Sequence, residues 1–451
     1  MDSTAITNNL KVTVTNRQIL SIAMPITLAI LIPQINMLTN SIFLGDLSIE
    51  ALGNAGITGV FYLIFAVAGN GLNNSLQAVF SRYAGSGNHA AFNSILSQGI
   101  RICLQFAAAG ILITWFIAPM ILQPITDERS YALQIDFLKI RILGLPFLFL
   151  FQMGNAFLVS TLNSRYLMIA FAFEAGINII LDYLLIKGRH GFPAMGFNGA
   201  AVASVIAEIT GFIVVIVVLY RTGLKKRYGL LKSFVYDKLI TKKIVSISVP
   251  LILQYVLSVT TWLVFFMLIE SLHNENYKAI SNTMRNVFGL AGIFVWAFAS
   301  TSNVMVSNLM GQQRDDLVIT AINKIVKLCM ILCVFICLLA NLFPGAFFSI
   351  FSQGQDFIHQ GIPVLRVVSV DLLLMCLANI WLNGVTGTGK TKMNLLIEIV
   401  AITFYLIYSW VFIKIHFISL AFAWANEFVY WSVIFTMAYI FLKSGKWKIN
   451  K

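Results

Sequence analysis

Charged side chains are scarce in this chain. Asp, Glu, Lys and Arg make up only 11% of its 451 residues, and 59% of the residues are hydrophobic, whereas an ordinary soluble protein has about 25% charged residues. The chain also lacks a histidine cluster, an HExxH motif and a Gly-x-Ser-x-Gly motif. The sequence therefore carries none of these zinc- or serine-hydrolase signatures, and its composition argues against a soluble fold.

Cysteine is equally sparse, and its positions indicate packing rather than chemistry. All five cysteines lie inside apolar segments, and none belongs to a CxxC pair. Buried free cysteine usually behaves as a small apolar side chain. We therefore interpret the following residues as core fillers rather than disulfide partners or metal ligands: Cys103, Cys329, Cys333, Cys337 and Cys376.

Long apolar runs are what the chain has in abundance. A helix needs about 20 apolar residues to cross a hydrocarbon layer of about 30 Å, and a helix satisfies its own backbone hydrogen bonds there. We expect no cleavable signal peptide, because the first 16 residues are polar and the first apolar run is too long. The runs predict twelve membrane-spanning helices: 17–44, 51–80, 93–122, 132–161, 167–187, 196–221, 244–270, 278–309, 318–343, 361–386, 392–415 and 419–442.

The two halves of the sequence repeat the same features about 225 residues apart. Six spans in each half give both halves the same orientation, so an axis along the membrane normal should relate them. The predicted fold is all-α, with two six-helix bundles related by this pseudo-twofold axis. We expect an N-lobe at 1–221, a basic cytoplasmic linker at 222–243 and a C-lobe at 244–451. The repeated pairs are Pro25 and Pro250, Gly85 and Gly311, Asn155 and Asn379, and Glu174 and Glu398.

The net charge of +13 follows membrane topology. Basic residues concentrate between spans six and seven and in the C-terminal tail, whereas the loops on the other side carry few. This positive-inside pattern predicts that both termini are cytoplasmic. It favours anionic membrane lipids over nucleic acid as the partner of the basic residues, and we expect a multi-pass protein of a bacterial cytoplasmic membrane.

Residues 384–391, GVTGTGKT, match the letters of a phosphate-binding loop. Such a loop needs a preceding strand and a following helix in a βαβ unit, and here it joins two predicted membrane spans. We therefore expect no nucleotide hydrolysis and no enzyme activity. We interpret the segment as a tight turn in which Gly387 and Gly389 allow the chain to reverse.

Polar residues inside the spans are the candidate functional residues, because a polar side chain in the membrane usually faces a cavity or a partner. In the fifth span, Glu174, Asn178 and Asp182 are four residues apart and share one helical face. We expect these stripes to converge on a polar cavity in the first lobe. The other candidate cavity residues there are Gln34, Asn36 and Asn40 in the first span, Asn70 and Asn73 in the second, and Asn155 in the fourth.

A carboxylate in such a cavity can exchange a proton, because burial disfavours its charged form, or it can exchange Na⁺. The alternative is that the amides only bond across helices as packing contacts. In the second lobe Asp371 is a further candidate, and it could be either a ligand or the ion-pair partner of Arg285.

The opening of the chain resembles that of multidrug and toxic compound extrusion (MATE) transporters. The run Met37-Leu38-Thr39-Asn40-Ser41-Ile42-Phe43-Leu44-Gly45, followed by Glu50-Ala51-Leu52, is similar to the end of that family's first span. The segment NIILDYLLI at 178–186 is similar to its fifth-span signature, and GVTGTGKTK resembles its glycine-rich turn after span ten. The resemblance covers essentially the whole chain.

The resemblance implies a V-shaped pair of bundles with a central cleft and alternating access. It implies export of amphipathic, often cationic drugs or metabolites in exchange for H⁺ or Na⁺, without a cofactor. The family's first-lobe coupling site falls on Asp182, Asn178 and Asn155, and its first-span Asp falls on Asn40. No firm metal site is implied beyond a possible Na⁺ at Asp182 and Asn178, and we expect a monomer.

A second interpretation is a lipid-linked saccharide flippase of related architecture. Its substrate carries pyrophosphate, so its cleft should be cationic. Basic residues within or near the spans that fit this alternative are Arg101, Lys139, Arg141, Arg285 and Arg366.

Overall fold

The computed structural model describes residues 10–124, 126–349 and 355–448, and these ranges are helical with no strand. Expectations about residues 1–9 and 449–451 lie outside the described residues. The main helices are α1 (Asn16–Gly45), α2 (Ile49–Gly85), α3 (Ala91–Phe116), α4 (Glu128–Arg141), α5 (Leu145–Ser160), α6 (Arg165–Leu185), α7 (Phe197–Arg221), α8 (Lys238–Glu270), α9 (Glu275–Gly311), α10 (Val318–Leu342), α11 (Gln355–Thr388), α12 (Thr391–Ser409) and α13 (Asn426–Lys443).

Twelve helical stretches within the described ranges are long and apolar enough to cross a membrane, which confirms the predicted number of spans. Helices α4 and α5 form one span, because only a 3₁₀ turn at Ile142–Gly144 separates them. Helix α12 continues as a π-helical turn at Trp410–Ile415. Hydropathy located the spans because each segment must satisfy its own backbone in lipid.

The chain packs as two compact units. The N-unit consists of residues 28–84 and 88–252, and the C-unit of residues 10–27, 85–87 and 253–448 among those described. The first part of α1 therefore packs in the C-unit, and the first part of α8 packs in the N-unit. These units are defined by packing, so the lobe boundaries at 221 and 244 stay a prediction about the membrane lobes.

Within the N-unit, the basic segment after α7 is docked onto α3. Asn93 Nδ2 donates to the carbonyl of Ser233 over 2.9 Å, and Gln98 Nε2 donates to the carbonyl of Val235 over 2.8 Å. Asp237 accepts from the backbone N–H of Ile240 over 3.0 Å at the start of α8. This bond, with smaller contributions from neighbouring donors, lowers the pKa of the half-buried Asp237 carboxyl. Side chains of α3 thus hold the predicted linker by its backbone at Ser233 and Val235.

Within the C-unit, helix α9 holds the segment that precedes α1. Asn308 Oδ1 accepts from the backbone N–H of Val12 over 3.0 Å, and Asn308 Nδ2 donates to the carbonyl of Leu10 over 2.8 Å. Asn308 is fully buried. One amide side chain therefore satisfies the backbone polar groups of a segment that has no helix of its own.

The loop-like motif at 384–391 is mostly helical, which corrects one part of the sequence interpretation. Residues 384–388 belong to α11, and Gly389 alone takes a left-handed conformation, with φ of +83°. Gly387 instead lies where a Cβ would come within 2.7 Å of Val306 Cβ. Gly387 therefore allows α11 to approach α9 closely, and only Gly389 shapes the reversal.

Gly85 is a position where an added methyl group should destabilise the protein. A Cβ at Gly85 would lie 2.0 Å from the carbonyl oxygen of Asn308, whereas a Cβ at Gly59 on the same helix would meet nothing within 4 Å. We expect Gly85→Ala to cost about 1–3 kcal/mol through overpacking. Gly59→Ala should be neutral or stabilising, because alanine favours a helix. Thermal unfolding in detergent compares the two variants; equal midpoints would contradict the close approach.

Candidate ion-coupling site

Three side chains on two helices form the centre of the candidate site in the N-unit. Asn178 and Asp182 lie one turn apart on α6, and neither is exposed. Asn40 projects towards them from α1. The 3.6-residue period puts Asn178 and Asp182 on one face. Ser204 of α7, which follows the buried Ala200, Ala201 and Ala203, lies within reach of Asn178.

Hydrogen bonds connect these side chains. With its amide nitrogen facing α6, Asn40 donates to Asp182 Oδ2 and, over 3.0 Å, to Asn178 Oδ1. Asn178 Nδ2 donates to Ser204 Oγ over 3.3 Å. The amide orientation follows from the network, because the opposite orientation sets the Asn40 oxygen against a carboxylate oxygen. Asn36 Nδ2 lies 3.0 Å from the same amide group of Asn178.

The second carboxylate oxygen, Asp182 Oδ1, is buried and has no hydrogen-bond partner in the described part of the chain. Buried polar atoms normally have a partner, so such an atom calls for an explanation. The side chains beside Asp182 are the neutral amides of Asn40 and Asn178, and neither supplies a positive charge. The site therefore offers one acid and several oxygen ligands to a proton or to a small cation such as Na⁺.

The other predicted cavity residues on α1 and α2 have hydrogen-bond partners or surroundings separate from those of Asp182. Asn70 Oδ1 accepts from Gln152 over 3.4 Å, and Asn73 Oδ1 accepts from Gln77 over 3.5 Å. Gln34 is half-buried on α1. The described hydrogen bonds link none of these residues to Asp182.

Asn155 is buried on α5, and its Oδ1 has no hydrogen-bond partner among the described residues. The contacts thus bring Asn36, Asn40, Asn178 and Asp182 together. Whether Asn155 contributes to the same pocket stays a prediction.

Glu174 lies beside a separate buried ion pair. Arg141 Nη2 and Glu208 Oε1 are 2.7 Å apart, with side-chain exposures of 14% and 5%. Tyr62 donates to the same oxygen over 2.9 Å, and the Arg141 guanidinium lies 3.8 Å from the Tyr62 ring centre. Glu174 Oε2, which is buried without a partner in the described chain, faces α7 near Gly211. Arg141 is therefore neutralised inside the N-unit.

Asp371 is one of three buried acids in the described part of the C-unit, and of its two interpretations the ion pair with Arg285 is not formed. Both carboxylate oxygens of Asp371 are buried without a hydrogen-bond partner in the part of the chain that the structure describes. The guanidinium of Arg285 instead lies 5.6 Å from the ring centre of Phe266. The cation is held by an aromatic face, so the alternative that Asp371 acts as a ligand remains a prediction.

Two further acids of the C-unit are bound by hydroxyl and ring N–H donors. Tyr430 donates to Glu398 Oε1 over 2.5 Å, and Gln254 donates to Glu398 Oε2 over 3.3 Å. Glu427 accepts from Tyr405 over 3.2 Å and from Trp431 over 3.0 Å. These carboxyl groups are satisfied locally, in contrast to Asp371.

Sequence reasoning missed two of the hydrogen-bond partners. Ser204 accepts from Asn178, and Tyr430 donates to Glu398. Both residues are uncharged and stand in ordinary apolar runs, so no intramembrane charge signal marks them. A serine next to several alanines in span six was the one visible sign that a helix face there was small enough for close contact.

The twelve apolar spans are those of a multi-pass membrane protein. The MatE family model matches residues 25–184 and 250–411. The chain therefore belongs to the MATE family of efflux transporters, which is a transporter family and not an enzyme family.

Individual relatives agree with this assignment. A probable multidrug resistance protein NorM of Thermotoga maritima is 21% identical over 444 residues, which cover 96% of this chain and 93% of the relative. A FAD transporter of Shewanella oneidensis is 28% identical over 206 residues, 44% of this chain and 46% of that protein. The solved structure of a MOP superfamily transporter from Pyrococcus furiosus has a TM-score of 0.88 at 16% identity, with all of both chains covered, and shares the fold.

The buried Arg141–Glu208 pair makes a stability prediction. Removing one partner of a buried ion pair leaves an uncompensated charge and costs about 3–5 kcal/mol. We expect Arg141→Met to lower the thermal midpoint strongly, and Arg141→Met with Glu208→Leu to recover most of the loss.

The control is the exposed pair of Arg129 and Glu50, which are 3.4 Å apart with exposures of 80% and 39%. Arg129→Met should change stability by less than about 1 kcal/mol. A similar loss in Arg129→Met and Arg141→Met would contradict a special role for the buried pair.

Proposed function

We propose that the protein is a secondary efflux antiporter that exports amphipathic, often cationic drugs or metabolites in exchange for H⁺ or Na⁺. The observation that carries this proposal is Asp182, a fully buried acid with neutral hydrogen-bond partners and one unpartnered oxygen. Family membership supports the transport class, and Asp182 supplies the coupling group.

The physical basis of coupling is the cost of charge inside a membrane protein. An ionised Asp182 lies beside neutral amides, and no cation of the described chain pairs with it, so uptake of H⁺ or Na⁺ removes an unfavourable charge. The cation-bound and cation-free states therefore differ in net charge at Asp182. A cation gradient across the membrane can then drive the transporter between states.

Asn40 can report the state of Asp182. When Asp182 is charged, the Asn40 amide nitrogen faces it and donates. When Asp182 is protonated, the same amide can turn by half a rotation and accept from the carboxylic acid. An aspartate in place of Asn40 could not donate in the charged state, so the amide suits a site with a single acid.

This local change acts on α1, because Asn36 and Asn40 both lie on that helix. Residues 28–45 of α1 belong to the N-unit, and residues 16–27 belong to the C-unit. A helix shared by both units is a suitable element for carrying a change in bonding from Asp182 to the substrate pathway. We propose that this change alternates access to the two sides of the membrane.

We place the protein in a bacterial cytoplasmic membrane, with cytoplasmic termini, lipid contacts at the basic segments, and a monomeric working form. The positive-inside distribution supports this orientation. The flippase alternative loses support from one of its five basic residues, because Arg141 is paired with Glu208.

The FAD transporter among the relatives makes a nucleotide-like anion the second candidate substrate. Vesicles that contain the transporter and take up FAD, but not ethidium, under the same gradient would favour that candidate over a cationic drug. Both candidates use the same proposed coupling site.

Asp182→Asn should abolish gradient-driven transport. Asparagine has nearly the shape of aspartate but cannot bind a proton or neutralise Na⁺. We expect ethidium transport by everted vesicles to fall to the level of vesicles without the protein, at equal expression, under an imposed pH gradient and then a Na⁺ gradient. The gradient that drives the wild-type protein identifies the ion.

The matched control is Asp127→Asn, an exposed acid at the start of α4 whose side chain accepts from the backbone N–H of Ser130. An asparagine keeps that hydrogen bond, so transport should stay at the wild-type rate. Wild-type transport by Asp182→Asn would refute the coupling assignment and turn attention to Asp371.

Asn40→Asp should increase the affinity for Na⁺. The new carboxylate would lie within hydrogen-bonding distance of Asp182, and two like charges at this distance need a cation or a shared proton. We expect Na⁺ to raise the thermal midpoint of Asn40→Asp more than that of the wild type at alkaline pH, with equimolar choline as the salt control. An identical response of both proteins would show that residue 40 is not a ligand position.

A further inference from the structure

Three thiols from two helices meet inside the C-unit. Cys329 and Cys333 are one turn apart on α10, and Cys376 projects from α11. Their sulfur atoms all lie within 4.8 Å of one another, and the Cys329 and Cys333 sulfurs are 3.9 Å apart. All three side chains are at most 3% exposed.

The spacing of the sulfur atoms fits a common central ion. A three-coordinate ion that keeps a lone pair binds its ligands in a pyramid, so at about 2.3 Å from each sulfur it separates the sulfurs by about 3.5 Å. The Cys329 and Cys333 sulfurs are 3.9 Å apart, and all three sulfurs lie within 4.8 Å of one another. The thiols would therefore have to move slightly closer together to bind such an ion.

The two other cysteines behave differently, although they are also buried. Cys337, one further turn along α10, donates to the carbonyl of Ser369 over 3.5 Å. Cys103 in the N-unit donates to the carbonyl of Phe149 over 3.6 Å. These two thiols have backbone acceptors, whereas the thiols of Cys329, Cys333 and Cys376 face one another. The packing interpretation of the sequence accounts for the first two residues better than for the other three.

The apolar surroundings of the three thiols favour an ion whose charge balances that of the thiolates. The three thiols are neutral when protonated and lie within membrane-spanning helices, where an uncompensated charge is costly. Three thiolates with a monovalent ion carry a net charge of −2, and with a divalent ion a net charge of −1. Only a trivalent ion gives a neutral complex, so both the empty and the loaded site would avoid buried net charge.

We propose that Cys329, Cys333 and Cys376 form a binding site for a trivalent thiophilic ion, arsenic(III) or antimony(III). Arsenous acid, As(OH)₃, is itself neutral. Three As–S bonds form as three As–O bonds break, and each thiol proton leaves with a hydroxide as water. No electron is transferred, so the step needs no oxidant or reductant.

A groove with a volume of about 460 Å³ lies along α10 near the cluster. Its lining includes Met330 and Leu377, the chain neighbours of Cys329 and Cys376, but not the cysteines themselves. Its walls are mainly apolar, which suits a neutral species. A bound ion would connect α10 to α11, the helix that also carries Asp371, and should restrict movement between these two helices.

The test uses the purified full-length protein, reduced and then freed of reductant, with sodium arsenite as the probe. We expect one arsenic per chain, a mass gain of one arsenic less three hydrogens, and an X-ray absorption spectrum with three sulfur neighbours and no oxygen neighbour. Arsenic with two sulfur ligands and one oxygen ligand, or no binding, would overturn the proposal without any variant.

Serine variants then locate the site. Cys329→Ser, Cys333→Ser and Cys376→Ser should each lose the three-sulfur complex, and Cys337→Ser is the matched control on the same helix. Each variant is first checked for an unchanged elution profile in detergent, and Cys→Ala replaces any serine variant that fails this check. Loss of binding in Cys337→Ser, or its retention in Cys333→Ser, would also refute the assignment.

Discussion

The cost of an unpaired charge inside hydrocarbon shapes this molecule more than any single contact does. Most buried ionisable groups have local partners, as in the Arg141–Glu208 pair and the Glu398–Tyr430 hydrogen bond. Asp182 and Asp371 depart from this rule, because each has carboxylate oxygen without a partner in the described chain and neither is paired with a cation there. Glu174 also has an unpartnered oxygen, but it lies beside the Arg141–Glu208 pair. The proposed cation exchange rests on this difference.

The amide groups around Asp182 give this site its particular character. A charged neighbour such as lysine would hold the carboxylate in one ionisation state, whereas an amide can donate to the charged form and accept from the neutral form. Residue 40 is an asparagine and not an acid in this chain. The proposed site would therefore have a single titrating group beside an amide partner.

The cysteine cluster shows how much of a site the sequence alone can predict. The four-residue spacing of Cys329 and Cys333 already places both thiols on one face of a helix. The third thiol comes from a different helix, α11. No periodicity in the sequence shows which face of α11 packs against α10. Chemistry that needs three ligands therefore became visible only when the two helices were packed together.

Hydropathy and charge distribution in the sequence determined the twelve spans, because each helix must satisfy its own backbone and keep its charges near water. The helical period also placed Asn178 and Asp182 on one face. Tertiary structure decided which residues become partners. It paired Arg141 with Glu208 and separated Arg285 from Asp371. It also placed Gly387, a residue of helix α11, close to α9. Partner choice depends on how helices rotate and approach one another, and it is set by contacts between residues far apart in the chain.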